Sequence, residues 1–132
     1  MKKLIKHINL LLLFIIAIVP LSSCQYNNYN YFNTVSIIIK TPNNNLIQQL
    51  QANVILTNLN TKEEIKSSDF IDNTISLTVL RGIYKVNVIG VLKLQKPNSH
   101  MIETKTFISY NNFVDLTSTI KKIIVLKTIF TN

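Results

Sequence analysis

From Thr34 onward, β-branched and apolar residues come in short runs separated by Asn, Asp, Pro and Gly, which is the punctuation of strands rather than helices. Val35 to Lys40 is a first run, closed by the breaker cluster Thr41-Pro42-Asn43-Asn44-Asn45. Val54 to Thr57 is a second, followed by Asn58-Leu59-Asn60-Thr61-Lys62, a hairpin loop leading into Glu64-Ile65-Lys66. Ile75, Leu77 and Val79 alternate with Ser76 and Thr78, placing three apolar side chains on one sheet face. Tyr84, Val86 and Val88 do the same against Lys85 and Asn87. Two further runs follow, Ile102 to Tyr110 and a long closing segment from Val114 to Phe130 that divides near Lys121-Lys122. Leu46 to Gln51 has no clean period and fits either a short helical turn or part of a strand. About seven strands with short turns and no intervening helices predict an all-β, antiparallel sandwich.

The start of the chain has a different pattern. Lys2, Lys3 and Lys6 form a basic head, Leu10 to Val19 an unbroken apolar run, and Leu21-Ser22-Ser23-Cys24 closes it. This is the plan of a secretory signal, and the apolar run is about half the ~20 residues a spanning helix needs. The closing tetrapeptide resembles the bacterial lipobox. That resemblance implies cleavage before Cys24 and attachment of palmitate-type acyl chains to the cysteine. The expected organisation is a signal peptide over residues 1–23, a lipid-anchored tether over 24–33 and one β-sandwich domain over 34–132. The tether Gln25-Tyr26-Asn27-Asn28-Tyr29-Asn30-Tyr31 is polar and aromatic with no strand or helix period, as expected of a linker whose tyrosines rest at a membrane interface. Gln25, rather than an aspartate, follows the cysteine. By the lipoprotein sorting rule this implies the outer membrane of a Gram-negative envelope, with the periplasmic face favoured over the cell surface.

The middle of the chain resembles a second family. Ala52-Asn53-Val54-Ile55-Leu56-Thr57-Asn58, then Asp72-Asn73, an alternating strand, and Leu80-Arg81-Gly82-Ile83-Tyr84-Lys85-Val86 is similar to the domains grouped as carboxypeptidase regulatory-like or transthyretin-like. The likeness covers about Val35 to Leu94, with Asn73 where glycine is common and Arg81 where proline is common. It implies a seven-stranded Greek-key sandwich of the prealbumin or immunoglobulin type in which Gly82 serves a turn through positive φ or a close backbone approach. Asn73 would take the left-handed turn position, and Tyr84 would bury its ring with the hydroxyl at the core boundary. Such domains serve as structural or partner-binding modules, and some lipoprotein pilins contain them, so a fimbrial or adhesin subunit is the alternative to an accessory subunit of an outer-membrane assembly.

Composition narrows the chemistry. The net charge is +8, of which Lys2, Lys3 and Lys6 supply three, and the other lysines are scattered rather than gathered in one motif, so no nucleic-acid partner is expected. Cys24 is the single cysteine, which excludes an intrachain disulfide and a thiolate metal cluster. His100 stands alone after Pro97-Asn98-Ser99, with no positioned nucleophile or carboxylate to form a triad. Asp69, Asp72 and Asn73 offer oxygens to calcium from one loop, yet they lack EF-hand spacing and serve more simply as local turn acceptors. Glu63-Glu64 has no partner specifying acid and base, and Gly82 and Gly90 stand apart, so no phosphate loop exists. The expectation is a non-enzymatic protein with no catalytic residues, metal or cofactor, whose partners are the membrane and another envelope protein. The closing strand, Lys121 to Phe130, is expected to complete its own sandwich rather than pair with another chain's open edge.

Overall fold

The computed structural model describes residues 30–118 and 120–131. Among these there is no α-helix, only eight strands and one 3₁₀ turn at Pro42–Asn44. The strands are β1 (Phe32–Lys40), β2 (Leu46–Asn58), β3 (Glu64–Ser67), β4 (Thr74–Leu80), β5 (Ile83–Gln95), β6 (Ile102–Asp115), β7 (Lys121–Lys127) and β8 (Ile129–Thr131). They form two sheets, β4-β1-β7 and β3-β2-β5-β6-β8.

The period-2 pattern explains how the layers close. Val35, Ile37 and Ile39 of β1 alternate with Thr34, Ser36 and Ile38, and the first three are completely buried. Ile75 and Val79 of β4 and Ile124 and Leu126 of β7 join them from the small sheet. Val54 and Leu56 of β2, Val86, Val88 and Leu92 of β5, and Phe107 of β6 meet them from the large one, giving one continuous core. Burying this many Val, Ile and Leu side chains, each worth roughly 1.5–3 kcal/mol, is what holds the layers together.

One open point is decided and three features differ from the sequence expectation. The segment Leu46 to Gln51 is the first half of the 13-residue β2, not a helical turn. A register shift between Ile47 and Gln49 slips the phase, so Ile47 opposite Leu94 and Leu50 opposite Leu92 share a face although they are three residues apart. The sandwich is not wholly antiparallel, because β1 pairs β7 in parallel from Thr34↔Lys121 to Lys40↔Lys127. Parallel neighbours need a long crossover, and nearly the whole domain lies between these two strands. The closing segment divides twice: β6 ends at Asp115, and Thr128 breaks β7 from β8 and carries the chain from the small sheet to the large one. There the Thr128 amide donates to the Lys40 carbonyl at 2.9 Å and Ser109 Oγ donates to the Lys127 carbonyl at 2.9 Å, tying the crossing to both layers. Finally, β1 starts at Phe32 and Asn33 is buried, its amide donating to the Leu116 carbonyl, so the domain begins two residues before Thr34.

Candidate binding face

Cys24 and residues 1–23, read above as a signal peptide, lie outside the described residues. The three turn positions singled out from sequence fall at the seams of the sandwich, in roles partly different from those expected. Gly82 does not have positive φ. Nor does backbone approach it closely: what excludes a Cβ there is a side chain, since a Cβ would stand 2.9 Å from Asn58 Nδ2. Asn58 is itself buried, and its Oδ1 accepts from the Asn60 and Thr61 amides at 2.9 and 3.1 Å, so it has little freedom to move aside. The left-handed residue of the β3–β4 connection is Asp72, with φ of 55°, and not Asn73. Asn73 instead clasps β1: its amide donates to the Ile39 carbonyl at 3.0 Å and its own carbonyl accepts from the Ile39 amide at 2.9 Å. Tyr84 is buried at the start of β5, with its hydroxyl donating to the Leu80 carbonyl at 2.9 Å, which links β5 back to the end of β4.

The oxygens considered for calcium are turned to local use. Asp69 Oδ2 accepts from Ser67 Oγ at 3.0 Å, and the Asn73 amide is committed to Ile39. Among the described residues no three His, Cys, Asp or Glu side chains gather as a metal site. His100 is exposed in the loop between β5 and β6, and Glu64 pairs with Lys66 at 2.9 Å on the hairpin. Two carboxyls lie below their ordinary values: Glu103 through the hydrogen bond and charge of Lys96 with Lys105 nearby, and Asp115 through hydrogen bonds from the Thr117 hydroxyl and amide. Both are solvated surface groups.

The feature that sequence reading missed is the outer face of the large sheet. Ile89 of β5 lies directly opposite Ile108 of β6, which lies opposite Ile129 of β8, so three isoleucines form a row across three strands. Val91 flanks the row on one side and Tyr110 on the other, and Ile89, Val91, Tyr110 and Ile129 are exposed. Lys93 lies beyond Val91 on the same face of β5. An open depression of about 630 Å³ crosses the sheet here, lined by Gln51, Asn53, Ile89, Gly90, Val91 and Ile108. The signal was present in the sequence. In Val88-Ile89-Gly90-Val91-Leu92 apolar residues occupy both phases of the strand, so one set had to face outward. Contiguous exposed apolar surface of this kind marks an interaction face more often than scattered single residues do.

No protein-family model, curated protein or solved structure matches this chain.

Proposed function

We propose that the protein is an envelope lipoprotein, acylated at Cys24, whose small β-sandwich is a non-catalytic binding or accessory subunit of an outer-membrane assembly. The observation that carries this reading is the pairing of a lipobox-like segment with a sandwich whose first strand begins only eight residues later, at Phe32. Each buried methylene of an acyl chain contributes ~0.8 kcal/mol, and two or more chains make attachment durable. The Ile89–Ile108–Ile129 row supports a partner-binding role, since it leaves apolar surface exposed on a domain whose core is already complete. We assign the sandwich to the transthyretin-like group with its Greek-key arrangement of strands. The seam between Leu80, Gly82 and Tyr84 supports the Greek-key part of this, because the buried tyrosine with its hydroxyl turned back to the Leu80 carbonyl resembles the tyrosine corner of immunoglobulin-type Greek-key sandwiches.

The periplasmic face of the outer membrane is the location this reading favours. Protease treatment of intact cells against permeabilised cells tests it. Protection until permeabilisation is the expected result, and digestion on intact cells would favour a surface adhesin instead. Cys24→Ala is expected to leave an unprocessed, unlipidated precursor. A mature-sized band that still partitions with membranes in that variant would sink the anchor.

A further inference from the structure

The end of the sandwich where β1 begins is built from apolar side chains and cations that the core does not use. Phe32 lies directly opposite Leu80 in the β1–β4 ladder, and the two are 50% and 48% exposed. The Arg81 amide donates to the Tyr31 carbonyl at 2.8 Å, and the Thr34 amide to the Ile120 carbonyl at 2.9 Å, so both neighbours are held at the same end. Tyr31 is 65% exposed and Ile120 63%. Arg81 and Lys121 stand beside them, also exposed. Neither makes an ion pair among the described residues. The nearby Asp115 carboxylate is engaged by Thr117, and its carbonyl accepts from Lys122 Nζ at 3.0 Å. The opposite end of β5 contrasts with this, since there the Glu103 carboxylate pairs with both Lys96 and Lys105, at 2.6 and 3.7 Å.

We propose that this end, with Tyr31, Phe32, Leu80 and Ile120 as the apolar tip and Arg81 and Lys121 as the cationic shoulder, docks the domain directly onto an anionic bilayer surface. The inference rests on acylation at Cys24. Six residues lie between that cysteine and Tyr31, and the seven steps from one to the other, at no more than ~3.5 Å each, reach about 25 Å. The tip is therefore held near the headgroups whatever path the tether takes. Aromatic and aliphatic side chains enter the interfacial layer, while arginine and lysine meet phosphates there. Electrostatic attraction decays over about 8 Å at physiological salt, so the cations act only when the tip touches the surface. Each contributes about fivefold to the docked population on an anionic membrane. Docking fixes the orientation of the sandwich, with the small and large sheets standing up from the bilayer and the Ile89–Ile108–Ile129 row facing sideways toward a neighbouring protein.

The chain contains no tryptophan, so a single introduced tryptophan is an unambiguous reporter. Ile120→Trp places it at the tip and Met101→Trp at the opposite end of the domain, where Met101 is 72% exposed. The full protein, isolated from membranes, is reconstituted into vesicles of phosphatidylglycerol and brominated phosphatidylcholine, and bromine quenching is read. Quenching at position 120 and not at 101 is expected. Arg81→Gln with Lys121→Gln should lower the docked-to-free ratio about 25-fold, as should replacing phosphatidylglycerol by phosphatidylcholine with the tip intact. Absence of quenching at 120, equal quenching at both positions, or indifference to the charge variant overturns the proposal. The acyl mass on the amino-terminal peptide is measured in the same preparation, so failure of the anchor and failure of docking give different results.

Discussion

Gly90→Ala is the most informative single change in the fold. Gly90 faces the core at mid-sheet, opposite Ala52 of β2 on one side and Phe107 of β6 on the other. A methyl at this position would stand 2.5 Å from Ala52 Cβ and 2.6 Å from Ala52 Cα, and closer still to the Gln51 carbonyl oxygen. These are backbone or backbone-attached atoms that no rotamer change moves. Relief requires β2 and β5 to part near the centre of their ladder of twelve residue pairs. Overpacking of this sort costs about 1–3 kcal/mol, and the absence of a flexible neighbour puts Gly90 at the upper end. The reduced freedom of the unfolded chain returns about 0.4–1 kcal/mol, leaving a net loss of about 2 kcal/mol. For a domain of this size that lowers the unfolding midpoint by roughly 8–16 °C. Gly82→Ala is the internal control, because its Cβ meets a side-chain nitrogen at 2.9 Å rather than backbone, and a loss of about 1 kcal/mol is expected. Thermal unfolding followed by circular dichroism measures both. If Gly90→Ala is as stable as the parent, or Gly82→Ala is the more damaging, the close approach of β2 to β5 is not what fixes glycine there.

Three further outcomes follow from the geometry. Tyr84→Phe removes the hydroxyl that donates to the Leu80 carbonyl and should cost about 1 kcal/mol in a denaturant titration; no change would mean that bond contributes nothing to the seam. Thr128→Val should raise stability by about 1 kcal/mol, since the Thr128 hydroxyl is buried without a partner among the described residues, and a fall in the midpoint would show that it has one. Glu103 and Asp115 have depressed values in the folded protein, so their contribution is present above the unfolded carboxyl's ordinary value and is lost as pH falls through the folded one. Stability should therefore hold above about pH 5 and decline below about pH 4, and Asp115→Asn should flatten part of that decline in pH-dependent melting.

The strands that face water on one side were the legible ones. Ile75 to Val79 and Tyr84 to Val88 alternate cleanly because each buries one face and solvates the other. Legibility failed where geometry interrupted the period. The register shift near Ile47 gives β2 an apolar spacing of three, which mimics a helix. The crossing at Thr128 hides a strand break because Lys127-Thr128, between Leu126 and Ile129, carries none of the Gly, Pro, Asn or Asp that mark a turn. Turn residues were legible in place but not always in role. Gly82 lies at the seam as expected, yet a side chain of β2, distant in sequence, is what excludes a Cβ. Asn73 is one residue beyond the left-handed position, and its clasp on Ile39 depends on a partner 34 residues away, which local spacing does not encode. The outer row of isoleucines was written into the sequence as apolar residues in both phases of β5, a signal that reads as noise until the strand is known to reach Gln95.

On the function proposed above, Cys24 is the acylated first residue of the mature protein and the sandwich operates from that anchor. Mass spectrometry of the amino-terminal peptide from protein isolated out of bacterial membranes tests it directly. The expected peptide begins at Cys24 and bears the mass of a diacylglyceryl thioether. An unmodified Cys24, or a mature chain that begins at any other residue, would contradict it.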